Sequence, residues 1–243
     1  PGTIVRGVCT VTGHRRRVAS RAPRRLRRVG CSPGPWPRFR LRAKDNGIVA
    51  RCRLFRLRGT RMSTALVLID LQNDYFPGGA MELVAPEAAV AEAARLLAAF
   101  RARGFPVFHV RHECTGAEDP FFLPGTDGAE IHPAVRPHPN ELIFTKHHPN
   151  SFRETSLLES LRTVGATRLV FAGMMTHMCV DTTVRAAADF GFECALAYDG
   201  CATTHLQFGD TRVEAAQVQA AYLAALADGF AKVTTASALC SEI

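Results

Sequence analysis

Short apolar runs alternate along this chain with stretches whose apolar residues recur every three or four positions, and that alternation admits few folds. The runs are residues 65–70, 107–110, 141–146, 168–172, 193–198 and 231–234. Between them, residues 86–103 carry Val90, Ala93, Ala94, Leu97 and Phe100 on one helical face, with Pro86 near the start and Gly104 past the end. Further helices are expected over 156–164, from Cys179 to Gly191, and over 211–228. Strands joined through helices run parallel, and a parallel sheet must be covered on both faces. The expected class is therefore α/β. The exception to the alternation is residues 111–140, rich in Gly, Pro, His and Asp, a length that in a compact domain usually means a lid or pocket wall.

Charge divides the chain in two. Residues 1–61 hold 18 Lys and Arg against Asp45 alone, a net of +17, whereas the remainder is net −9. Arg15-Arg16-Arg17, the basic run 24–28 and Pro33-Gly34-Pro35-Trp36-Pro37 show no sustained periodicity, so residues 1–61 are expected to be a disordered, Arg-rich extension and residues 62–243 the folded domain. Three readings of the extension stand: a nucleic-acid-binding arm, a transit peptide, or a translated upstream region preceding a start at Met62. The last is favoured, and nucleic acid is not an expected partner. The eight cysteines show neither a CxxC pair nor Cys/His spacing typical of structural zinc, and no apolar run reaches membrane-spanning length. A cytoplasmic protein with reduced thiols is expected, with Cys194 and Cys201 as packing residues rather than a disulfide.

The chemistry concentrates at strand ends. Residues 168–172 lead through Gly173-Met174-Met175-Thr176-His177-Met178 to Cys179, followed by Val180, Val184 and Ala187 at helical spacing. A cysteine at a strand–helix junction is more often packing than chemistry. At a helix N-terminus, however, the dipole and the unpaired N–H groups favour the thiolate, the form that attacks carbonyl carbon. Asp70 ends the first run and Lys146 the third. Ligands of open parallel sheets bind beyond the carboxyl ends of the strands, so Asp70, Lys146 and Cys179 are expected in one crevice.

Asp70-Leu71-Gln72-Asn73-Asp74, Lys146 through Phe152, and Gly173 through Val180 with Thr183 and Ala187 together resemble the isochorismatase-like cysteine hydrolases. That family includes nicotinamidases, N-carbamoyl-amino-acid amidohydrolases, and ureidoacrylate and biuret hydrolases. The resemblance implies a three-layer α/β/α sandwich about a six-stranded, mainly parallel sheet of Rossmann-like topology. It implies a triad in which Asp70 is the general base, Cys179 the nucleophile and Lys146 the cation between them. It also implies a non-proline cis peptide between Met174 and Met175 that aims the N–H of Met175, with that of Cys179, at an oxyanion.

The substrate expected from this resemblance is a small-molecule amide, ureide or carbamoyl compound, cleaved at a C–N bond without a cofactor. The alternatives are the vinyl ether hydrolysis of true isochorismatases, which generally lack the cysteine, and nucleic-acid binding through the basic N-terminal arm. Metal-binding nicotinamidases carry an Asp-x-His and a further His; here His109, His112, His132 and His138 occur without an Asp-x-His, so no metal is expected. Phe76, Phe152 and His177 are candidate pocket residues, the first two for stacking on a planar group, and Arg111 for pairing with a substrate carboxylate. A homodimer or homotetramer, away from membranes, is the expected assembly.

Overall fold

Side chains of β1 (Ser63–Ile69) alternate between two cores: Leu66 and Leu68 pack into one, Ala65, Val67 and Ile69 into the other. This is the period-two geometry of a strand buried on both faces. The same division continues in β4 (Ala166–Met174), with Val170 and Ala172 on the first face and Leu169 and Phe171 on the second. The computed structural model describes residues 63–116 and 119–243. The expectations for the basic segment 1–61, and for a start at Met62, lie outside the described residues.

Four further strands join these two: β2 (Val107–His112), β3 (Leu142–Lys146), β5 (Glu193–Ala202) and β8 (Lys232–Thr234). The six form one sheet in the order β3-β2-β1-β4-β5-β8, and every pairing is parallel. Helix α1 (Pro86–Ala102) and α5 (Ala236–Glu242) cover the first face; α2 (Leu157–Thr163), α3 (Asp181–Asp189) and α4 (Ala215–Gly229) cover the second. The three-layer α/β/α sandwich expected from the motifs is what forms. Each fully buried Leu, Ile or Phe in these layers contributes about 1.5–3 kcal/mol relative to exposure. Among the described residues no helix is long and apolar enough to cross a membrane.

The largest differences from expectation lie near the C-terminus. Helix α4 begins at Ala215, not 211, because Thr211–Val213 forms β7, paired antiparallel with β6 (Leu206–Phe208) across Gly209-Asp210. Gly209 supplies the positive φ, 56°, that a two-residue hairpin turn demands. Glu214 then caps α4 in a reciprocal box with Gln217. Helix α5 was not expected; its start is set by the Thr235 hydroxyl, which accepts from the N–H of Ala238 at 3.1 Å. Cys194 and Cys201 are buried free thiols.

The chain leaves β1 and β4 in opposite directions across the sheet, so the ends of these adjacent strands open a crevice. Two backbone features shape it. Asp70 has φ 49°, a left-handed conformation that Asp tolerates better than most residues, and it turns the chain out of β1. Gly173 has φ 146°, and a Cβ there would meet the carbonyl oxygen of Ile69, so only glycine lets β4 finish against β1.

Candidate active site

Four neighbouring strand ends, in the order β3-β2-β1-β4, deliver Lys146, His112, Asp70 and, through the turn after β4, Cys179. That turn, Thr176–Val180, is a single π-helical turn running directly into α3, so Cys179 stands in the first turn of a continuous helical segment. The peptide bond between Met174 and Met175 is cis. Asp70, Lys146 and Cys179 are 0, 1 and 6 % exposed, so their charges act on one another with little water between them.

Lys146 is the hub of the cluster. Its Nζ lies 2.7 Å from Asp70 Oδ2, 3.0 Å from His112 Nδ1 and 3.2 Å from Cys179 Sγ. The Asp70 contact is an ion pair rather than an aligned hydrogen bond, because neither carboxylate oxygen has a well-directed donor among the described residues. Lone pairs of Asp70 thus remain open to a proton. Burial works to strip the proton from Lys146, but Asp70 and then Cys179 oppose it, and its pKa ends above the ordinary lysine value. Burial likewise pushes the Cys179 thiol up, the Asp70 charge adds to this, and Lys146 opposes both; the net shift is upward. The expectation of a resting thiolate is therefore corrected. The helix terminus and the ammonium do not outweigh desolvation and the adjacent carboxylate, and the sulfur rests as a thiol beside a base.

His112, which the sequence places in the 111–140 segment past the expected strand, lies at the centre of the site. β2 runs two residues further than expected, and in parallel register His112 lies opposite Lys146. Burial, and next the Lys146 charge, push its pKa down to about 4, so the ring is neutral near pH 7. One donor atom each of Asp70, His112 and Cys179 lie within 4.8 Å of one another, a grouping able to hold a metal ion. Those same three side chains already face the Lys146 ammonium, which fills the place a cation would take.

A cavity of about 310 Å³ opens over Cys179, walled by Tyr75, His112, Cys114, Phe121, Met175 and Met178 among others. Phe121 comes from the 111–140 segment, which is thus a pocket wall. Asp74 pins that segment: its Oδ2 accepts from the N–H of Phe122 at 2.6 Å and its Oδ1 from that of Ala80 at 3.2 Å.

The four side chains expected to line the pocket do not line this cavity. Phe76 stacks on His132 at 4.0 Å, because the 3₁₀ turn Asn73–Tyr75 presents Tyr75 to the cavity instead. Phe152 packs edge-on against Phe190 at 5.1 Å, turned there by the bond of Ser151 Oγ to Thr183 Oγ1 at 2.8 Å. His177 points to Thr203, Nδ1 to Oγ1 2.6 Å, with Tyr222 against its ring. Arg111 projects from the opposite face of β2 to His112, pairing with Glu113 at 2.8 Å and donating to Thr145 Oγ1 at 3.1 Å. A pocket signal was nonetheless present. With Lys146 and Asp70 on strands that flank β2, whichever residue ends β2 must lie between them.

A model of the isochorismatase domain matches residues 64–238. The uncharacterized isochorismatase family protein YddQ of Bacillus subtilis (strain 168) is 50% identical over 177 residues, 73% of this chain and 98% of that protein. A crystal structure of an isochorismatase from Pseudomonas putida KT2440 aligns with a TM-score of 0.68 at 38% identity, covering 72% of this chain and 89% of that one. The ureidoacrylate amidohydrolase RutB of Methylobacterium radiotolerans is 28% identical over 156 residues, 51% of this chain and 60% of that protein. A domain match running from β1 into α5, together with half-identity to YddQ across nearly its whole length, supports one assignment: this chain belongs to the isochorismatase family and is a hydrolase.

Proposed function

We propose that this hydrolase cleaves a C–N bond in a small-molecule amide, ureide or carbamoyl compound through a thioester on Cys179. The observation that carries the reading is the buried Lys146 ammonium, 2.7 Å from Asp70 and 3.2 Å from the Cys179 sulfur. Asp70 accepts the thiol proton as sulfur attacks the acyl carbon, and the carbonyl π pair moves onto oxygen. The N–H groups of Met175 and Cys179 receive that oxyanion. Collapse expels the amine, which takes the proton from Asp70. Water, deprotonated by Asp70, then attacks the thioester and returns the proton to sulfur as the acid leaves. Lys146 remains a cation throughout, so neither the thiolate nor the carboxylate is stranded without a counter-charge.

A cavity near 310 Å³ stands at the small end of ligand pockets and suits a metabolite-sized substrate. An amidohydrolase among the relatives supports C–N chemistry. The cysteine argues against vinyl ether hydrolysis, which needs protonation at carbon and no sulfur nucleophile. This chemistry asks for neither a metal nor a redox cofactor. A reducing, cytoplasmic compartment suits the free thiols Cys114, Cys179, Cys194, Cys201 and Cys240. The half-exposed Leu142 and Ile143 on edge strand β3 suit a homodimer or homotetramer.

The test is an acid quench of enzyme mixed with a slow amide. The expected result is a mass increase, equal to the acyl fragment, on the peptide that contains Cys179. Efficient isochorismate turnover by both wild type and Cys179→Ala, with no adduct, would overturn the proposal.

A further inference from the structure

We infer that His112 is a substrate-binding residue, its Nε2–H donating to an oxygen acceptor that the substrate carries beyond the scissile carbonyl. The inference deepens the amide-hydrolase reading and rests on it for the identity of the scissile group.

The argument begins with donors and acceptors. A lysine ammonium has three N–H groups and no acceptor. Lys146 directs them at His112 Nδ1 and Cys179 Sγ, with Asp70 Oδ2 as its ion-pair partner, so at His112 the ammonium donates and Nδ1 accepts. In a neutral imidazole the proton is then on Nε2. The downward pKa shift of His112 agrees with this, since burial and then the Lys146 charge beside it disfavour a protonated ring. The tautomer is set by the hub of the site and does not adapt to a ligand.

Position is set separately. Gln72, fully buried, commits its amide to the backbone of this strand end: Oε1 accepts from the N–H of His112 at 2.7 Å, and Nε2 donates to the carbonyls of His112 and Ala129, both at 2.8 Å. The motif residue Gln72 thereby acquires a purpose the triad leaves unexplained. The ring lines the cavity over Cys179, and among the described residues Nε2 has no hydrogen-bond partner. A half-buried donor held in one tautomer, clamped at its backbone and facing a cavity selects a ligand atom with a lone pair. A substrate presenting a methyl or an N–H at that point leaves the donor unpaired, which binding energetics penalise. The class selected is a small amide or ureide with a second carbonyl-type oxygen a few bonds from the first.

Malonamide and 3-methylbutanamide test this, being equal in non-hydrogen atoms but differing in whether the far end is a carboxamide or an isopropyl group. Each is measured as a protectant of Cys179 against iodoacetamide, read by mass on its peptide, with released ammonia read in the same samples. In the wild type, malonamide should half-protect at a concentration roughly three- to tenfold below 3-methylbutanamide. His112→Asn, whose side chain offers an acceptor to Lys146 but no donor at the Nε2 position, should bring that ratio to about one. His112→Gln, which reaches further, should restore part of it. A wild-type ratio near one overturns the inference whatever the variants do, as does a ratio unchanged in His112→Asn. Differential protection without any ammonia counts against C–N hydrolysis and leaves the His112 contact standing; ammonia without differential protection does the reverse.

Discussion

The Asp70–Lys146–Cys179 contact makes strong demands on single residues because all three groups are out of water. Cys179→Ala removes the proposed acyl acceptor but little packed volume. Turnover should fall by about 10³-fold or more, with the melting temperature nearly unchanged, as steady-state ammonia release and thermal unfolding would report. Asp70→Asn should be as inactive and also less stable, since it leaves the Lys146 ammonium buried without its carboxylate. Breaking a buried pair in this way costs about 3–5 kcal/mol, measurable by denaturant titration. Lys146 lowers the Cys179 pKa against burial and Asp70. Lys146→Met should therefore move the pH profile of iodoacetamide alkylation to higher pH, and an unmoved profile would remove lysine from the site.

Between elements, Glu141 at the entry to β3 holds α1 and β2 together. Its carboxylate takes both hydrogen bonds of the Arg101 fork, at 2.8 and 2.7 Å, and His109 Nε2 lies 2.9 Å from the same group. Glu141→Ala leaves the buried His109 without that partner and should destabilise the fold by about 1–3 kcal/mol, read by denaturant titration, without altering the alkylation profile of Cys179. The sequence shows Arg101, His109 and Glu141 as unremarkable charges, since they meet only when β2 and β3 align. Element boundaries were legible where local chemistry set them, as at Pro86 opening α1 and Gly104 past its end. They differ at β7, where Thr211 and Val213, both of high strand propensity, stand between a Gly-Asp turn and a helical pattern that extends over them.

For the molecule as a whole, acid should unfold the protein in two overlapping windows. His112 has a folded pKa of about 4, below the ordinary 6.5, so the unfolded chain takes up the proton first, and stability falls as pH drops from 6.5 towards 4. Glu141, held near 2 by Arg101 and other donors against burial, adds a loss between 4.5 and 2. Melting temperatures across pH 3–8 check this, and His112→Asn should flatten the upper window. Read by itself, the sequence determined the α/β class, the parallel order of construction and the three residues Asp70, Lys146 and Cys179. Hydrophobic period and turn chemistry are local, and the strand ends of an open parallel sheet share one edge whatever the loops do. Tertiary structure alone decided which other side chains join them. The two-residue extension of β2 puts His112 at the site and Arg111 on the opposite face, and the turn after Asn73 gives the cavity Tyr75 in place of Phe76. Those choices depend on strand register and on side-chain direction at a bend, where a shift of one residue exchanges the two faces.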